Sequence, residues 1–530
     1  MRLKSADLEG GVPAMLAVLG VFAGALALTV GTALGAAPPE LVVLALAVLA
    51  PLPFILKDYR VGVGLLALVL PVMSMLPSVR GLNPVNYLVA ATWLGFLAGR
   101  WRLGPPGPGV PQRGVVPLPR NLWWGFALPV SVGMVVAWPH IGEGLRNYPG
   151  LEDAQRVFDP PTYLIDRFVK PMVYFFSFAF LLANAVRDSR QPERFVALLA
   201  LSAVAPALAV FWSVAEYPGS LAQLARDRDF MAARGRHANE FGLMLALLFG
   251  PLLFVAGGAG RGRWRALALA TLALVVPALL LTFSRGGLLA ALIVFVGFLW
   301  HHRRVKTLLV SAAVVGLGLV AAPAEFKERF GTGLSVGALS YTHSADQDTL
   351  TAGRVYGWTL LMPEVAESPW IGRGLGSTQW SAAVAAGRYR ANHPHNIYLE
   401  VLMDLGVLGL AAMVALHAAY LRRLRQLAGD PVLSPVLRSF FLGARWALWG
   451  GLAMAATTAY YMPNAAQAPW WFCLGLLFAY WAQAAQAAQA ASAAHPLRPA
   501  GPAQDARAGW GAARPGVDRL SPAVAPEPRP

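Results

Sequence analysis

Long apolar segments alternate with short polar connections along most of the chain. An α-helix needs roughly 20 predominantly apolar residues to cross the hydrocarbon core of a bilayer. The pattern therefore predicts an all-α, polytopic membrane protein, and because several segments are shorter than this, we expect about 12–14 transmembrane helices. The apolar segments are residues 13–34, 41–56, 61–76, 85–98, 122–138, 168–186, 195–215, 241–256, 266–282, 286–300, 308–322, 397–421, 440–461 and 470–488.

Composition agrees with this fold class. Hydrophobic residues make up 57% of the 530 residues and charged residues only 13%, and the mean hydropathy is +0.53. A soluble enzyme of this length needs more charged side chains to cover its surface. The single cysteine, Cys473, lies in the last apolar segment, so a disulfide framework and a cysteine-ligated metal are excluded.

Lysine and arginine concentrate in every second connection between apolar segments. If the N-terminus is cytoplasmic, the positive-inside rule places all of these basic connections on the inner side of the membrane. The formal net charge of +16 is then explained by the inner loops, and we expect no nucleic-acid partner. The outer connections are residues 139–167, 216–236 and 323–394, and only these have room for a water-exposed active site.

Four regions follow from this segmentation. Residues 1–322 are expected to form an N-terminal bundle of transmembrane helices, and residues 323–396 a long periplasmic loop with short helices near 352–366 and 378–388. Residues 397–488 are expected to return to the membrane. Residues 489–530 are rich in Ala, Pro and Arg, cannot bury a core, and are predicted to be a disordered cytoplasmic tail.

Several cationic side chains are expected on the outer side, next to apolar segments. Arg285 stands between two such segments, Arg234 and Arg236 precede another, and Arg167 and Lys170 open a third. A charge at membrane depth costs about 2.5–3.5 kcal/mol. A bound phosphate would offset this cost, since arginine can donate two parallel hydrogen bonds to it. The alternative is that these side chains extend to lipid head groups.

Two histidines flank a proline directly before an apolar segment. Pro394 favours an extended conformation at His393, and His395 then lies where a helix from Ile397 begins. A neutral imidazole at the outer end of a helix can accept a proton from a sugar hydroxyl. The alternative is that His395 only caps the helix, and the residue spacing alone does not decide between the two.

Acidic residues offer a weaker signal. Glu400 and Asp404 are four residues apart and share one helix face, where pairing within the protein is the simplest interpretation. The DxD triplet at 227–229 and the acidic pair at 152–153 resemble groups that bind a divalent cation. Both lie among arginines, so we expect no metal site.

The residues around the two histidines resemble a known superfamily, the bacterial O-antigen ligases and O-antigen polymerases. The ligase pattern is His, then Asn, Ser or Gln, nine residues, Gly, two residues, Gly. Here it is complete: His395 and Asn396, then residues 397–405, Gly406, two residues and Gly409. The segments RGRHANEFG and TFSRGG are also similar to the family, and the resemblance covers roughly residues 234–421.

The resemblance implies a metal-independent glycosyltransferase without a cofactor. Such an enzyme moves a polysaccharide from undecaprenyl pyrophosphate to a sugar hydroxyl of lipid A-core, at the outer face of the bacterial inner membrane. Its partners would be these two substrates and the surrounding membrane lipids.

The resemblance also assigns roles by position. Arg234 and Arg285 would bind the pyrophosphate, and His395 would activate the acceptor hydroxyl. Gly406 and Gly409 would allow close packing of helices. The further candidates for binding the pyrophosphate or the acceptor are Arg167, Lys170, Arg236, His393 and Asn396.

Three other functions remain open at this point. A polymerase of the same superfamily elongates the glycan on its lipid carrier, and a protein O-oligosaccharyltransferase uses a protein acceptor. A transporter of lipid-linked glycans would spread its charges through the membrane depth and show internal symmetry. Neither feature is found in the sequence, which favours a glycosyltransferase.

Overall fold

The computed structural model describes residues 50–75, 84–102, 114–148, 154–220, 223–224, 230–231, 236–258, 262–302, 354–458 and 461–494. Every regular element within these ranges is helical, so the all-α prediction is confirmed. The described residues up to 483 form one compact unit, and residues 484–494 belong to a second.

The helices follow the apolar segments of the sequence. In chain order they are α1 (Leu52–Lys57), α2 (Tyr59–Val69), α3 (Pro84–Arg102), α4 (Arg120–Asn147), α5 (Pro160–Asp188), α6 (Arg194–Ala215), α7 (Ala238–Gly258), α8 (Arg263–Leu281), α9 (Arg285–His301), α10 (Arg354–Glu367), α11 (Ile397–Ala428), α12 (Pro435–Ala455) and α13 (Ala468–Ala494). Among the described residues, the six helices α4 to α8 and α11 are long and apolar enough to cross a membrane. The chain is a multi-pass membrane protein. The predicted segments at 13–34 and 308–322 lie outside the described residues.

Exposed tryptophans lie near both ends of the helices. Trp101 in α3 and Trp300 in α9 are 90% and 80% exposed, on the side expected to be cytoplasmic. Trp138 and Trp370 are 50% and 65% exposed, on the side expected to face out. Tryptophan is enriched at both membrane–water interfaces, so these positions are consistent with the predicted orientation.

Helix α7 lies at the centre of the bundle, with α8, α9 and α12 packed against it. Its contact with α12 is made by backbone atoms. A Cβ atom added at Gly443 would lie 2.4 Å from the carbonyl oxygen of Gly250, and one at Gly250 would lie 2.7 Å from that of Gly443. Small residues allow two membrane helices to approach this closely, and the contact fixes α12 beside α7.

Helix α11 is broken at Gly406, where the backbone has φ 66° and ψ −168°. The break removes the helical hydrogen bonds from residue 407 to 403 and from residue 408 to 404. These four freed backbone groups bond instead to the loop before α11. These bonds run from Val407 N to Pro369 O (2.8 Å), Leu408 N to Trp370 O (3.2 Å), Arg373 N to Met403 O (2.8 Å) and Gly374 N to Asp404 O (3.0 Å).

The structure corrects the role expected for the two motif glycines. A Cβ atom added at Gly406 would lie 2.3 Å from the carbonyl carbon of Trp370, and its positive φ disfavours any side chain. A Cβ atom added at Gly409 would lie 2.2 Å from Cβ of Leu405, in the preceding turn of the same helix. These glycines permit the break in α11 and the close approach of the loop, whereas the sequence led us to expect packing of two helices.

The loop before α11 is fixed by an ionic contact. The carboxylate of Glu364, only 4% exposed, forms an ion pair with Arg373 and accepts a hydrogen bond from the backbone N–H of Ala382 at 2.7 Å. Arg373 also contacts Glu367 at 3.0 Å. The helix predicted at 352–366 corresponds to α10. The helix predicted at 378–388 is shorter, a 3₁₀ turn at Ser377–Trp380 followed by a helical turn at Ala382–Ala385.

Two helices end at residues other than the ends of the corresponding apolar segments. The segment expected to remain helical up to residue 461 ends at Ala455, and an irregular segment with a 3₁₀ turn at Ala465–Gln467 follows. Helix α13 continues to Ala494, beyond the expected start of the tail at 489, because its Ala- and Gln-rich sequence favours helix. The rest of the predicted tail lies outside the described residues.

Candidate active site

His393 and His395 lie against each other at the start of α11. Their ring centroids are 4.1 Å apart and the ring planes meet at 85°. His395 has a φ of 53°, a left-handed conformation that is uncommon for a residue other than glycine. Such conformations persist only where the surrounding structure holds them, and they cluster at functional sites. The geometry therefore identifies these two histidines as the centre of a candidate site.

Three aromatic side chains hold the segment that carries the histidines. The hydrogen bonds run from Trp358 Nε1 to Pro394 O (2.8 Å), Tyr389 Oη to His393 O (2.8 Å) and Tyr148 Oη to Ala391 O (3.3 Å). Burial raises the pKa of Tyr389 to about 12, so its hydroxyl stays protonated and remains a donor. Tyr148 and Trp358 come from distant parts of the chain and Tyr389 from the same loop, so the segment is held both by its own loop and by other elements.

His393 is kept neutral by its surroundings. Burial, followed by the neighbouring charge of His395, lowers the pKa of His393 to about 3. His237 and Arg167 act in the same direction, which places both within electrostatic range of the imidazole. The structure thus brings together residues from the starts of α5, α7 and α11 that lie far apart in the sequence.

Arg167 and Lys170 differ in their surroundings. Both lie where α5 begins, and Arg167 sits in a wider, π-helical turn over Ile165–Val169, a feature that is frequent at functional sites. The side chain of Arg167 is exposed. Lys170 Nζ lies 3.8 Å from a carboxylate oxygen of Asp166, which already compensates part of its charge. Arg167 is therefore the better candidate for binding an anion.

Arg285 is the first residue of α9 and is held beside the first turn of α7. Ser284 caps α9, because its Oγ accepts the N–H of Gly287 at 3.2 Å. The same hydroxyl donates to Oδ1 of Asn239 in α7 at 3.0 Å. A Cβ atom added at Gly287 would lie 2.9 Å from Gly242, so the two helix starts are in direct contact.

The first turns of α9 and α11 both pack on the C-terminal end of α12. Tyr398 Oη donates a hydrogen bond to the carbonyl oxygen of Leu452 at 2.6 Å. A Cβ atom added at Gly286 would lie 3.0 Å from Oγ1 of Thr457. Gly286 directly follows Arg285, and Tyr398 lies three residues after His395. Helix α12 therefore helps to position both Arg285 and His395.

Comparison with known proteins supports the resemblance noted in the sequence. Residues 270–414 match the family described as O-Antigen ligase. This matched region, less than half of the chain, is similar to the O-antigen ligase family. No curated protein matches the chain.

The part that matches the O-antigen ligase family contains the residues around α9 and the start of α11. It includes Arg285, both histidines and Gly406. Arg167 lies outside the matched region, and only its electrostatic effect on His393 links it to the candidate site.

The structure describes only one of the two arginines predicted to lie before α7. Arg234 lies outside the described residues, and its role in binding the pyrophosphate stays a prediction. Arg236 is only 7% exposed, and its Nε donates to Oγ of Ser74 at 2.6 Å. Burial lowers the pKa of Arg236, and the charge of Glu240 opposes this shift. Arg236 thus connects the start of α7 to the segment 70–75.

The polar residues that follow the histidines contact nearby backbone groups around α11. Oδ1 of Asn396 accepts the N–H groups of Tyr398 and Leu399 at 3.0 and 3.2 Å, so this residue caps α11. Glu400 accepts the N–H of Tyr461 at 3.1 Å. Asp404 is buried and accepts three hydrogen bonds, from Gly376 N (2.9 Å), Ser377 N (2.9 Å) and Ser377 Oγ (2.6 Å). The expectation that the two carboxylates serve pairing within the protein agrees with these contacts.

Within the ranges that the structure describes, no group of three or more His, Cys, Asp or Glu side chains is arranged to hold a metal ion. The acidic residues at 227–229 and 152–153 lie outside these ranges. Metal independence therefore stays a prediction.

Sequence reasoning missed three residues of this candidate site. His237 was noted only as part of the RGRHANEFG segment, without a role. Tyr148, Trp358 and Tyr389 gave no signal, because aromatic residues near helix ends are common in membrane proteins. Only the folded loop brings their side chains to the backbone of residues 391–394.

Proposed function

We propose that the protein is an O-antigen ligase, which transfers a polysaccharide from undecaprenyl pyrophosphate to a sugar hydroxyl of lipid A-core on the periplasmic face of the inner membrane. The observation that carries this proposal is the pair of histidines with rings 4.1 Å apart at the start of α11. Arg167 lies within electrostatic range of that pair, and Arg285 is positioned by the same helix α12 as the pair.

His395 is the better choice for the general base. A base works best when its pKa lies near the operating pH, and the pKa of His393, lowered to about 3, makes that imidazole too weak a base. The neutral ring of His393 instead packs against His395 and limits its rotation. His393 is therefore a positioning residue in this proposal.

Arg285 and Arg167 are suited to the leaving group. Pyrophosphate carries negative charge that grows as the glycosidic bond breaks, and fixed guanidinium groups stabilise this charge in the transition state. Arginine can also hold two phosphate oxygens through parallel hydrogen bonds. Arg234 is expected to contribute in the same way.

The proposed reaction is a single displacement. A ring nitrogen of His395 accepts the proton of the acceptor hydroxyl, and the hydroxyl oxygen forms a bond to the anomeric carbon of the donor sugar. The bond between that carbon and the pyrophosphate oxygen breaks, and its electron pair leaves with undecaprenyl pyrophosphate. Attack opposite the leaving group inverts the anomeric configuration.

An apolar cavity supports a lipid-linked donor. It has a volume of about 140 Å³ and is lined by residues of α11, α12 and α13, among them Ile397 and Tyr398 next to the histidines, and Tyr420. A cavity with this lining suits part of an isoprenoid chain. The donor can thus present its pyrophosphate at the membrane surface while its chain remains among the helices.

The proposal is tested by reconstituting the purified protein in liposomes with lipid-linked O-polysaccharide. Three acceptors are offered separately: lipid A-core, a second molecule of the lipid-linked glycan, and a pilin-type protein. Ligation to lipid A-core alone is expected. Elongation of the lipid-linked glycan would identify a polymerase, glycosylation of the protein an O-oligosaccharyltransferase, and movement of the donor across the bilayer without transfer would identify a transporter.

A further inference from the structure

A second group of arginines lies on the opposite side of the protein, where α11 ends and α12 begins. The connection between these helices, residues 429–434, is on the side expected to be cytoplasmic. Arg425 lies in the last turn of α11 and is exposed. Arg445 is the eleventh residue of α12, about 15 Å along the helix from its start.

The side chains of Arg425 and Arg445 converge. Side chains on a helix lean toward its N-terminus, and α11 and α12 run in opposite directions and pack against each other. Arg425 therefore leans into the membrane and Arg445 leans back toward the connection. Their like positive charges act on each other electrostatically.

This repulsion is not relieved by an acidic residue of either helix. Helix α12 contains no Asp or Glu, and α11 has none after Asp404. Asp430 in the connection interacts with Arg423, whose guanidinium donates to Gln426 and to the carbonyl oxygen of Tyr480. Among the described residues, the buried Nε of Arg445 has no hydrogen-bond partner.

The surface around the two arginines is amphipathic. Trp449 lies one turn from Arg445 on the same face of α12 and is 44% exposed. Val414 lies three turns from Arg425 on the same face of α11 and is 55% exposed. Each helix thus presents an arginine toward the inner surface and apolar side chains toward the membrane centre. This arrangement complements a lipid with an anionic head group.

We propose that Arg425 and Arg445 bind the phosphodiester of an anionic lipid in the inner leaflet, with Trp449 and Val414 in contact with its acyl chains. The phosphate would place negative charge between the guanidinium groups of Arg425 and Arg445. Each guanidinium group can donate two parallel hydrogen bonds to phosphate oxygens. An arginine that far along a membrane helix needs such a partner, since intramembrane charges are costly when uncompensated. The site is separate from the histidines, and it does not depend on the proposed function.

Native mass spectrometry of the detergent-solubilised protein tests this site. The probes are phosphatidylglycerol, phosphatidylcholine and inorganic phosphate, titrated separately. Phosphatidylglycerol is expected to bind at least ten times more tightly than phosphatidylcholine, and the double variant R425Q/R445Q is expected to lose this preference. Binding of inorganic phosphate with the same affinity as phosphatidylglycerol would show that the ligand is a free anion and overturn the assignment to a lipid.

Two further variants keep the test decisive. The matched control R190Q/R194Q removes two exposed arginines of another inner connection and should leave the lipid preference unchanged. The single variant R425Q changes an exposed residue near a helix end, so it should fold even if the double variant does not, and should weaken binding of phosphatidylglycerol several-fold. An equal loss in the control, or unchanged binding in R425Q, would contradict the proposal.

Discussion

The hydroxyl of Ser284 donates a hydrogen bond to Oδ1 of Asn239 at 3.0 Å. The bond joins the first turn of α9, which begins with Arg285, to the first turn of α7, which follows His237. Two segments 45 residues apart are thereby held at one location. The position of Arg285 depends on this contact as well as on its own helix.

Arg285→Ala is expected to raise the KM for the lipid-linked donor roughly 10- to 100-fold, because a hydrogen bond to a charged group contributes about 1.5–3 kcal/mol. Arg285→Lys should restore only part of this loss, since lysine lacks the planar fork. Ser284→Ala should raise the donor KM less, through displacement of the arginine. Initial rates measured against donor and acceptor separately check this. A selective rise of the KM for lipid A-core would contradict the assignment.

His395→Ala is expected to lower kcat by about 10²- to 10⁴-fold, the usual contribution of a general base. His393→Ala should have a milder effect, because this residue positions the base. Transfer by reconstituted variants is the measurement, and size-exclusion elution with an unchanged unfolding temperature is the control for folding. If His395→Ala turned over at a near-normal rate, the base would have to be another residue.

The sequence allowed the fold class and most helices to be predicted, because an apolar run long enough to cross a bilayer has few other structures available. The motif around His395 could also be found, since its spacing is local. The hydrogen bonds from Tyr148 and Trp358 to the loop before α11 could not be predicted, because their acceptors are backbone carbonyl groups 243 and 36 residues away in the sequence. The burial of Arg236 was missed for the same reason: its partner, Ser74, is 162 residues away.

The lowered pKa of His393 predicts a dependence of stability on pH. The ordinary pKa of 6.5 applies to the unfolded chain and a value of about 3 to the folded protein. Between these values the unfolded state binds more protons, so the free energy of unfolding rises with pH up to about 6.5 and then levels off. From pH 6.5 to pH 5 the free energy of unfolding should fall by at most about 2 kcal/mol.

This dependence is measured as the unfolding temperature in detergent between pH 7.5 and pH 5. His393→Gln should flatten the acid side of the curve. If the unfolding temperature of the wild-type protein stayed constant between pH 6.5 and pH 5, His393 would be protonated without cost to the fold.

Gly406→Ala is expected to destabilise the protein by about 3 kcal/mol or more, the range seen for strain at a positive φ combined with a steric clash. The added Cβ atom would lie 2.3 Å from the carbonyl carbon of Trp370, and the loop that bonds to both sides of the break would have to move. Gly142→Ala is the control, because no atom lies within 4 Å of its Cβ position and alanine favours helix. Equal unfolding temperatures for the two variants would show that the break in α11 is not required.

Transfer is expected to continue in the presence of a chelator. Arg285 and Arg167 can neutralise the leaving pyrophosphate without a cation, as fixed positive charges stabilise the transition state directly. The opposing observation is the DxD triplet at 227–229, which resembles a site for a divalent cation.

The purified enzyme would be assayed with excess EDTA, and Asp227→Ala combined with Asp229→Ala would be assayed beside it. Both are expected to retain most of the wild-type rate. Strong inhibition by EDTA that added magnesium or manganese reverses, together with an inactive double variant, would replace the arginine-only mechanism with a metal-dependent one.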